Sequence, residues 1–269
     1  THTSEIKGQG QATVYDITHL EDRTLIQGRF DEELIYEGSV IQGSAPLEFR
    51  SYQLMIAEDG EFTWSKESNI HEIGGVNQTG ALRFEHFIIT MGGFGTPTYS
   101  IDSHSLTLQG NSDGYFLSQD INTGEVNWLL GFGGDGYQRI TGAAKLNGNQ
   151  IALWGDFKDS FDYTGESFVN EFSEFAEPFL TVIDTSGKVV CQKTIVNSNG
   201  DDWINNVVPN NGTIYAIVHH LIGRELDDYV ANVIGSRQNT VWKTCLPCDT
   251  LSSIAETENG RPTLHVYPN

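Results

Sequence analysis

The chain has 269 residues and carries 36 aspartates and glutamates against 15 lysines and arginines, a formal net charge of −21. A surface this negative repels phosphate backbones and anionic lipids, so the composition argues against a nucleic-acid-binding protein. No apolar run reaches the length of a membrane span, and we expect no membrane insertion. No signal peptide is recognisable, which indicates a chain that is either cytosolic or already mature.

Short runs rich in Val, Ile, Thr, Tyr and Phe alternate with clusters of Gly, Asn and Asp, which predicts a mostly β protein. Equivalent runs end at Phe30, Phe94, Phe157 and Leu221, which lie 64, 63 and 64 residues apart. A fixed period of this length indicates a repeat architecture.

Each repeat contains four strand candidates, which in the second repeat cover residues 75–82, 87–94, 115–120 and 125–130. Four antiparallel strands per repeat predict the blade of a β-propeller. We place the units at 11–74, 75–137, 138–201 and 202–251. The ends, 1–10 and 252–269, match complementary parts of a repeat and are expected to form a composite closing blade, because an open edge invites aggregation. The prediction is an all-β, five-bladed β-propeller in a single domain, 1–269.

The segment between the second and third strands differs among the repeats. It runs 22, 21 and 22 residues in the first three repeats and only 8 in the fourth, from Leu221 to Tyr229. We therefore expect three long loops on one face, where binding residues usually lie. Aromatic residues in these loops are the candidate ligand contacts: Tyr36, Phe49, Tyr99, Tyr163 and Phe168. Three tryptophans occupy equivalent repeat positions and are expected to pack between blades: Trp64, Trp128 and Trp242.

Asp156, Asp159 and Asp162 are separated by turn residues in the third loop. Carboxylates in a folded loop supply the hard oxygen ligands that Ca²⁺ prefers, so calcium is the one cofactor that the sequence suggests. A solvated acidic loop is the alternative. The chain has three cysteines, of which Cys245 and Cys248 form a C-x-x-C pattern that indicates a local disulfide or two ordinary thiols.

The run LTLQGNSDGYFL at 106–117, followed by Asp120, Gly124, Trp128 and the glycine-rich turn 133–136, resembles the repeats of bacterial secreted β-propellers of the seven-bladed type. The resemblance covers nearly the whole chain and is best in the second and third repeats. It implies a propeller fold and an extracellular or cell-surface setting, often within a larger surface assembly, but no particular activity. The pattern is broken by Cys191, where the repeat Trp is expected, and by 219–221, where Gly-x-Phe is expected.

Two functions remain open from the sequence. The first is a non-catalytic surface module that binds a glycan or another surface protein through the long loops. The second is a glycoside-acting enzyme whose carboxylates converge on a central funnel, for which Asp16, Glu85 and Glu256 are candidates. No established catalytic motif supports the second, so no catalytic residue is assigned. A cluster of carboxylates with perturbed pKa values would favour it.

Overall fold

The structure is a computed structural model of the chain. It describes residues 6–8, 10–37, 39–43, 50–69, 77–146, 149–163, 166–170, 175–194, 202–210, 213–220, 225–226, 229–230, 238–245, 251–253, 257–258 and 261–262. The regular secondary structure in these ranges consists of β-strands alone. Within the same ranges there is no helix with the length and apolarity to span a bilayer.

Thirteen strands precede residue 136: β1 (Ile6–Gly8), β2 (Ala12–His19), β3 (Arg23–Phe30), β4 (Glu33–Tyr36), β5 (Ser39–Gly43), β6 (Arg50–Ala57), β7 (Phe62–Asn69), β8 (Asn77–Arg83), β9 (Phe87–Phe94), β10 (Thr98–Ile101), β11 (His104–Thr107), β12 (Asp113–Asp120) and β13 (Val126–Phe132). Those that follow are β14 (Gly136–Lys145), β15 (Gln150–Tyr163), β16 (Glu166–Val169), β17 (Glu177–Asp184), β18 (Val189–Thr194), β19 (Asp202–Asn210), β20 (Thr213–His220), β21 (Glu225–Leu226), β22 (Tyr229–Val230), β23 (Gln238–Cys245), β24 (Leu251–Ser253), β25 (Thr257–Glu258) and β26 (Arg261–Pro262).

One strand order recurs four times along the chain. The four paths are β2-β3-β6-β7, β8-β9-β12-β13, β14-β15-β17-β18 and β19-β20-β23-β24, with antiparallel pairing. Each path falls within one of the predicted repeat units, except that β14 begins two residues before 138 and β24 ends two residues beyond 251. The prediction of an all-β protein with several antiparallel sheets is confirmed, whereas the described strands show no closed ring.

The second sheet follows its sequence pattern closely. β9 covers the predicted residues 87–94, and β12 begins two residues before the predicted start. The middle strands of this sheet are buried on both faces, which is why they read as near-continuous apolar runs. In their register Phe94, the last residue of β9, lies directly opposite Asp113, the first residue of β12.

The three long connections are β-hairpins and not irregular loops, which corrects the sequence-based expectation. β4 pairs with β5 in the first, β10 pairs with β11 in the second, and the end of β15 pairs with β16 in the third. Short alternating segments of four residues satisfy their backbone groups by pairing with each other, since a buried backbone requires a hydrogen-bond partner.

Each hairpin also contacts the strand that ends the preceding repeat. β10 pairs with β7, where Ser100 lies opposite Asn69. Asp162, at the end of β15, forms a bridge with Gly133, just after β13. In the first hairpin, β1 pairs with β4. This pairing is equivalent to that of β7 with β10 in the second hairpin.

The fourth repeat differs from its prediction. Its third strand is β23, which pairs with β20, and its fourth is β24. The prediction that a shortened connection ends at Tyr229, at the start of the third strand, is therefore wrong, because Tyr229 lies in the two-stranded β21–β22 hairpin. Trp242 lies in a third strand, whereas Trp64 and Trp128 lie in fourth strands, so the three are not equivalent. The repeat signal is weakest here, and the sequence alignment shifted by one strand.

The chain divides into two compact units, one comprising 1–140 and 160–167 and the other 141–159 and 168–269. The composite closing blade is not seen in the described residues. β1 pairs with β4, β25 pairs with β26, and β24 belongs to the fourth sheet.

Trp64 confirms within the first unit that a repeat tryptophan packs between sheets. It is buried with Leu25, Met55 and Ile88, which belong to the first and second sheets. Its Nε1–H donates to the carbonyl oxygen of Ile121 at 3.0 Å, in the turn between β12 and β13. This contact ties the first repeat to the second through both apolar burial and a buried hydrogen bond.

Candidate functional site

A cavity of about 400 Å³ lies in the first unit, at the end of the second sheet where β9 ends and β12 begins. Its floor contains Phe94, Asp113, Gly133 and Tyr163, all of which are buried. A volume of this size falls within the range of small-molecule pockets, roughly 300–1,000 Å³. The floor therefore combines two aromatic rings with one carboxyl group.

The rim of the cavity is polar and exposed. Ser105, Thr107 and Gln109 alternate along β11 and its continuation, which places their side chains on one face. The intervening Leu106 and Leu108 pack against the core of the second sheet. Exposed groups with hydroxyl and amide functions thus stand on one side of the opening, and exposed Asp162 completes the rim.

Asp113 is the most unusual group in the cavity, because it is a carboxyl only 2% exposed to solvent. The backbone N–H of Gln109 donates to its Oδ2 at 2.8 Å, and the N–H of Gly110 donates to the same carboxyl. Its Oδ1 is buried without a hydrogen-bond partner among the described residues. Burial raises the pKa of Asp113 to about 6, against the lowering effect of the two N–H groups.

Glycines allow the cavity wall to form by close approach of backbones. A Cβ on Gly110 would lie 2.4 Å from the carbonyl oxygen of Gly134, and one on Gly133 would lie 2.8 Å from Oδ2 of Asp113. Asp162 donates its N–H to the carbonyl oxygen of Gly133 at 2.6 Å. The glycine-rich turn therefore brings the third hairpin against the end of β13 and leaves room for the Asp113 carboxyl.

In the first repeat, Arg50 stands at the position equivalent to Asp113. Arg50 begins β6 opposite Phe30, as Asp113 begins β12 opposite Phe94. The Arg50 guanidinium forms an ion pair with Glu67 at 2.8 Å, so its charge is neutralised within the sheet. Asp113 has no ion-pair partner in the described part of the chain. Glu177, opposite Phe157 in the third repeat, is also a buried acid, so what distinguishes the second repeat is the cavity that Asp113 lines.

Three of the five predicted aromatic contacts are buried. Tyr36 is 3% exposed and donates its hydroxyl hydrogen to the carbonyl oxygen of Gly60 at 2.6 Å. Tyr99 is 1% exposed and stacks on Tyr115 at a centroid distance of 4.5 Å. These rings lie on the inward faces of hairpin strands, so they stabilise the hairpins and do not form an open ligand face.

Tyr163 is the member of that set that reaches the cavity. It is 3% exposed, stacks on Phe132 at a centroid distance of 3.9 Å and contributes to the floor. Phe168 is half-buried on β16, and Phe49 lies outside the described residues. The structure therefore does not bring the five aromatic side chains together on one face.

The three aspartates expected to bind calcium lie on one strand, β15. Asp156 is 2% exposed, Asp159 is half-buried and Asp162 is exposed. Asp159 has a φ of +63°, so β15 is not evenly extended between the three aspartates, and calcium binding by them stays a prediction. Among the described residues there is no group of three His, Cys, Asp or Glu side chains placed to hold a metal.

Asp16 and Glu85, two of the three carboxylates considered for a central funnel, do not line the cavity. Asp16 is half-buried on β2 and accepts a hydrogen bond from Thr18 Oγ1 at 2.5 Å. Glu85 lies in the turn between β8 and β9 with its side chain 87% exposed. Glu256 lies outside the described residues. Because Glu85 lies in a turn and not on a strand, it does not belong to the carboxylates of inner strands that a central funnel would require.

Sequence reasoning did not assign chemistry to Asp113, although it lies within the quoted repeat run at 106–117. An acid at the start of a strand that continues with Tyr115, Phe116 and Leu117 is the signal that was available. A buried carboxyl is expensive unless it is paired, so an acid in such a run is a candidate for function.

Cys191, on β18 in the second unit, is disulfide-bonded. The sequence favoured a local disulfide between Cys245 and Cys248 or free thiols. Cys248 lies outside the described residues, so the expectation for this pair stays a prediction.

Comparisons with known proteins identify no family for this chain. No protein-family model matches it, and no curated protein matches it. Among solved structures it is similar to two point variants of the apocarotenoid oxygenase of Synechocystis, each with a TM-score of 0.36 and 12% sequence identity. The match covers 87% of this chain and 47% of the oxygenase, so this chain spans about half the length of that protein.

Proposed function

We propose that the chain is a non-catalytic β-propeller module of the cell surface or extracellular space that binds a glycan in the cavity of the second repeat. The observation that carries the proposal is the cavity itself, in which a buried carboxyl oxygen without a partner lies below a rim of hydroxyl and amide groups. Ligand pockets combine apolar walls with a few polar groups of this kind, which fix the orientation of the ligand.

The chemistry of the lining favours a glycan over a protein ligand. Ser105, Thr107 and Gln109 offer both donors and acceptors, which match the hydroxyl groups of a sugar. Phe94 and Tyr163 offer apolar contact to the faces of a sugar ring. A protein ligand would use a wider and flatter surface, of the order of 800 Å² on each partner.

The propeller assignment and the extracellular setting draw support from other features. Four sheets of identical strand order, arranged consecutively along the chain, are what a propeller requires. The disulfide of Cys191 fits an oxidising compartment, since disulfides are rare in reducing cytosol. The strongly negative surface keeps such a protein soluble outside the cell.

A glycan array probed with the unmodified chain and with Thr107→Trp tests the proposal. The indole would fill the rim, while the exposed position tolerates the larger side chain, so array binding should be lost without loss of thermal stability. Ser103→Trp, an exposed position on the same hairpin outside the cavity lining, is the matched control and should bind as the unmodified chain does. Equal loss in both variants, or no array binding at all, would refute the proposal.

Glycoside cleavage is the second candidate function. The cavity carries two carboxyl groups, Asp113 and Asp162, and the raised pKa of Asp113 means that it still holds a proton near neutral pH part of the time, as a general acid requires. A glycan that binds on the array should then be incubated with the chain and assayed for new reducing ends. New reducing ends that are absent with Asp113→Asn would establish cleavage. A glycan that stays intact would support the non-catalytic binding module.

A further inference from the structure

The polar lining of the cavity has a pronounced bias in charge. Of the ten described residues that line it, two are aspartates and none is a lysine, arginine or histidine. Neither Asp113 nor Asp162 forms an ion pair with another described residue. The cavity is therefore negative at its floor and at its rim, and the net charge of −21 strengthens the attraction of cations.

The Asp113 carboxyl is held in one orientation by the protein. Its Oδ2 accepts from the N–H of Gln109 at 2.8 Å, and Gly110 donates a second N–H to the carboxyl. Oδ1 is buried and has no partner among the described residues, and Asp113 lines the floor of the cavity. A buried ionised oxygen is satisfied best by a cationic donor, because a charge removed from water needs an opposite charge as well as a hydrogen bond.

We propose that the glycan bound in this cavity carries a free amino group, and that its ammonium pairs with the Asp113 carboxyl at the floor while Asp162 adds a second negative charge at the rim. An unacetylated amino sugar is the ligand class that combines this ammonium with the hydroxyl groups that suit the rim. This inference rests on the proposed glycan-binding function and specifies its ligand.

The size of the cavity argues against a lone metal ion as the occupant. A single ion bound by two carboxylates would leave most of a cavity of about 400 Å³ empty. Ser105, Thr107 and Gln109 have exposed side chains in the lining, where they can contact the hydroxyl groups of a ring. A sugar ring with one amino group fills the space and uses both sets of groups.

Isothermal titration calorimetry with glucosamine, N-acetylglucosamine and glucose as probes tests the inference. The ammonium gains a charge-assisted hydrogen bond that the acetamide and the hydroxyl lack, so glucosamine should bind about tenfold more tightly than glucose. Asp113→Asn keeps an oxygen acceptor for the two backbone N–H groups but removes the charge, and should abolish this preference. Asp162→Asn, on the exposed rim, should reduce it only about twofold to threefold, since an exposed charge contributes less.

The outcomes separate this inference from the proposal on which it rests. Equal binding of glucosamine and glucose, lost in Thr107→Trp, would overturn the amino-sugar inference and leave glycan binding intact. Binding of Ca²⁺ in place of glucosamine, lost in Asp113→Asn, would overturn it in favour of a metal site. No binding of glucosamine would overturn it as well, and array binding would then decide the proposed function alone. Thermal melts of both Asn variants confirm that each is folded.

Discussion

Replacing Asp113 by asparagine should stabilise the protein in a way that depends on pH. The pKa of this carboxyl is about 6 in the folded protein, against an ordinary value of 3.8. The difference of roughly two units corresponds to about 3 kcal/mol, since one unit is about 1.4 kcal/mol. Asparagine has nearly the same shape, keeps an acceptor for the N–H groups of Gln109 and Gly110, and carries no charge.

The sign follows from the raised pKa. Well below pH 3.8 the carboxyl is protonated in both states and exerts no pH-dependent penalty. Between about pH 4 and pH 6 the folded protein binds more protons than the unfolded chain, so the free energy of unfolding falls as the pH rises. Above about pH 6 both states are ionised, and the full penalty of the buried charge is present.

Urea unfolding of the unmodified chain and of Asp113→Asn at several pH values measures the effect. The stability difference in favour of Asn should grow by about 2–3 kcal/mol between about pH 4 and about pH 8. Asp162→Asn removes one negative charge from the exposed rim of the same cavity and corrects for the general effect of reducing the acidic surface. A stability difference for Asp113→Asn that stays constant with pH, or matches that of Asp162→Asn, would refute the buried-carboxylate reasoning.

Three further predictions concern the fold and the calcium expectation. Gly124→Ala places a Cβ 2.7 Å from the Trp64 ring at a residue with φ +70°, so chemical denaturation should show that the free energy of unfolding falls by about 1–3 kcal/mol. Gly80 has a φ of +131° and open space around it, so Gly80→Ala measures the backbone strain alone. Cys191→Ser removes a disulfide and should cost about 2–4 kcal/mol, and dithiothreitol should bring the unmodified chain to the same stability. Thermal melts with EDTA and with Ca²⁺ test the calcium prediction for Asp156, Asp159 and Asp162: an ion bound to the native state should raise the Tm, and equal Tm values would refute the prediction.

The repeat pattern was readable because local and global signals agree in the second repeat. The apolar run of β9 is bounded by turn residues on both sides, and its limits were predicted correctly. The turns between third and fourth strands were readable too, because Asp120 and Asp184 each accept backbone N–H groups two residues ahead, and Gly124 and Gly187 adopt positive φ. Such turns have a local chemical cause.

The hairpins could not be predicted from the sequence, since their pairing depends on strands elsewhere in the fold. Strands of four residues, such as Thr98–Ile101, are too short for a periodic signal. Without the pairing of β10 with β11 and β7, Tyr99 reads as an exposed loop aromatic, although it is almost fully buried. The predicted aromatic face was lost for this reason.

The cavity could not be predicted from one repeat alone. Asp113 becomes exceptional only when Gly110 and Gly133 bring three backbone segments close together and its Oδ1 is left buried. The comparison with Arg50, which is paired with Glu67 at the equivalent position, required the register of both sheets. Tertiary packing, and not local propensity, creates the site.

The most direct test of the account is NMR chemical-shift mapping of backbone amides during titration with glucosamine. The account predicts saturable shifts at the amides of Gln109 and Gly110, which donate to the Asp113 carboxyl, and at Gly133 in the cavity wall. Asp113→Asn should remove these shifts at the same ligand concentration. Saturable shifts confined to residues away from the cavity, or none at all, would contradict the assignment of this site.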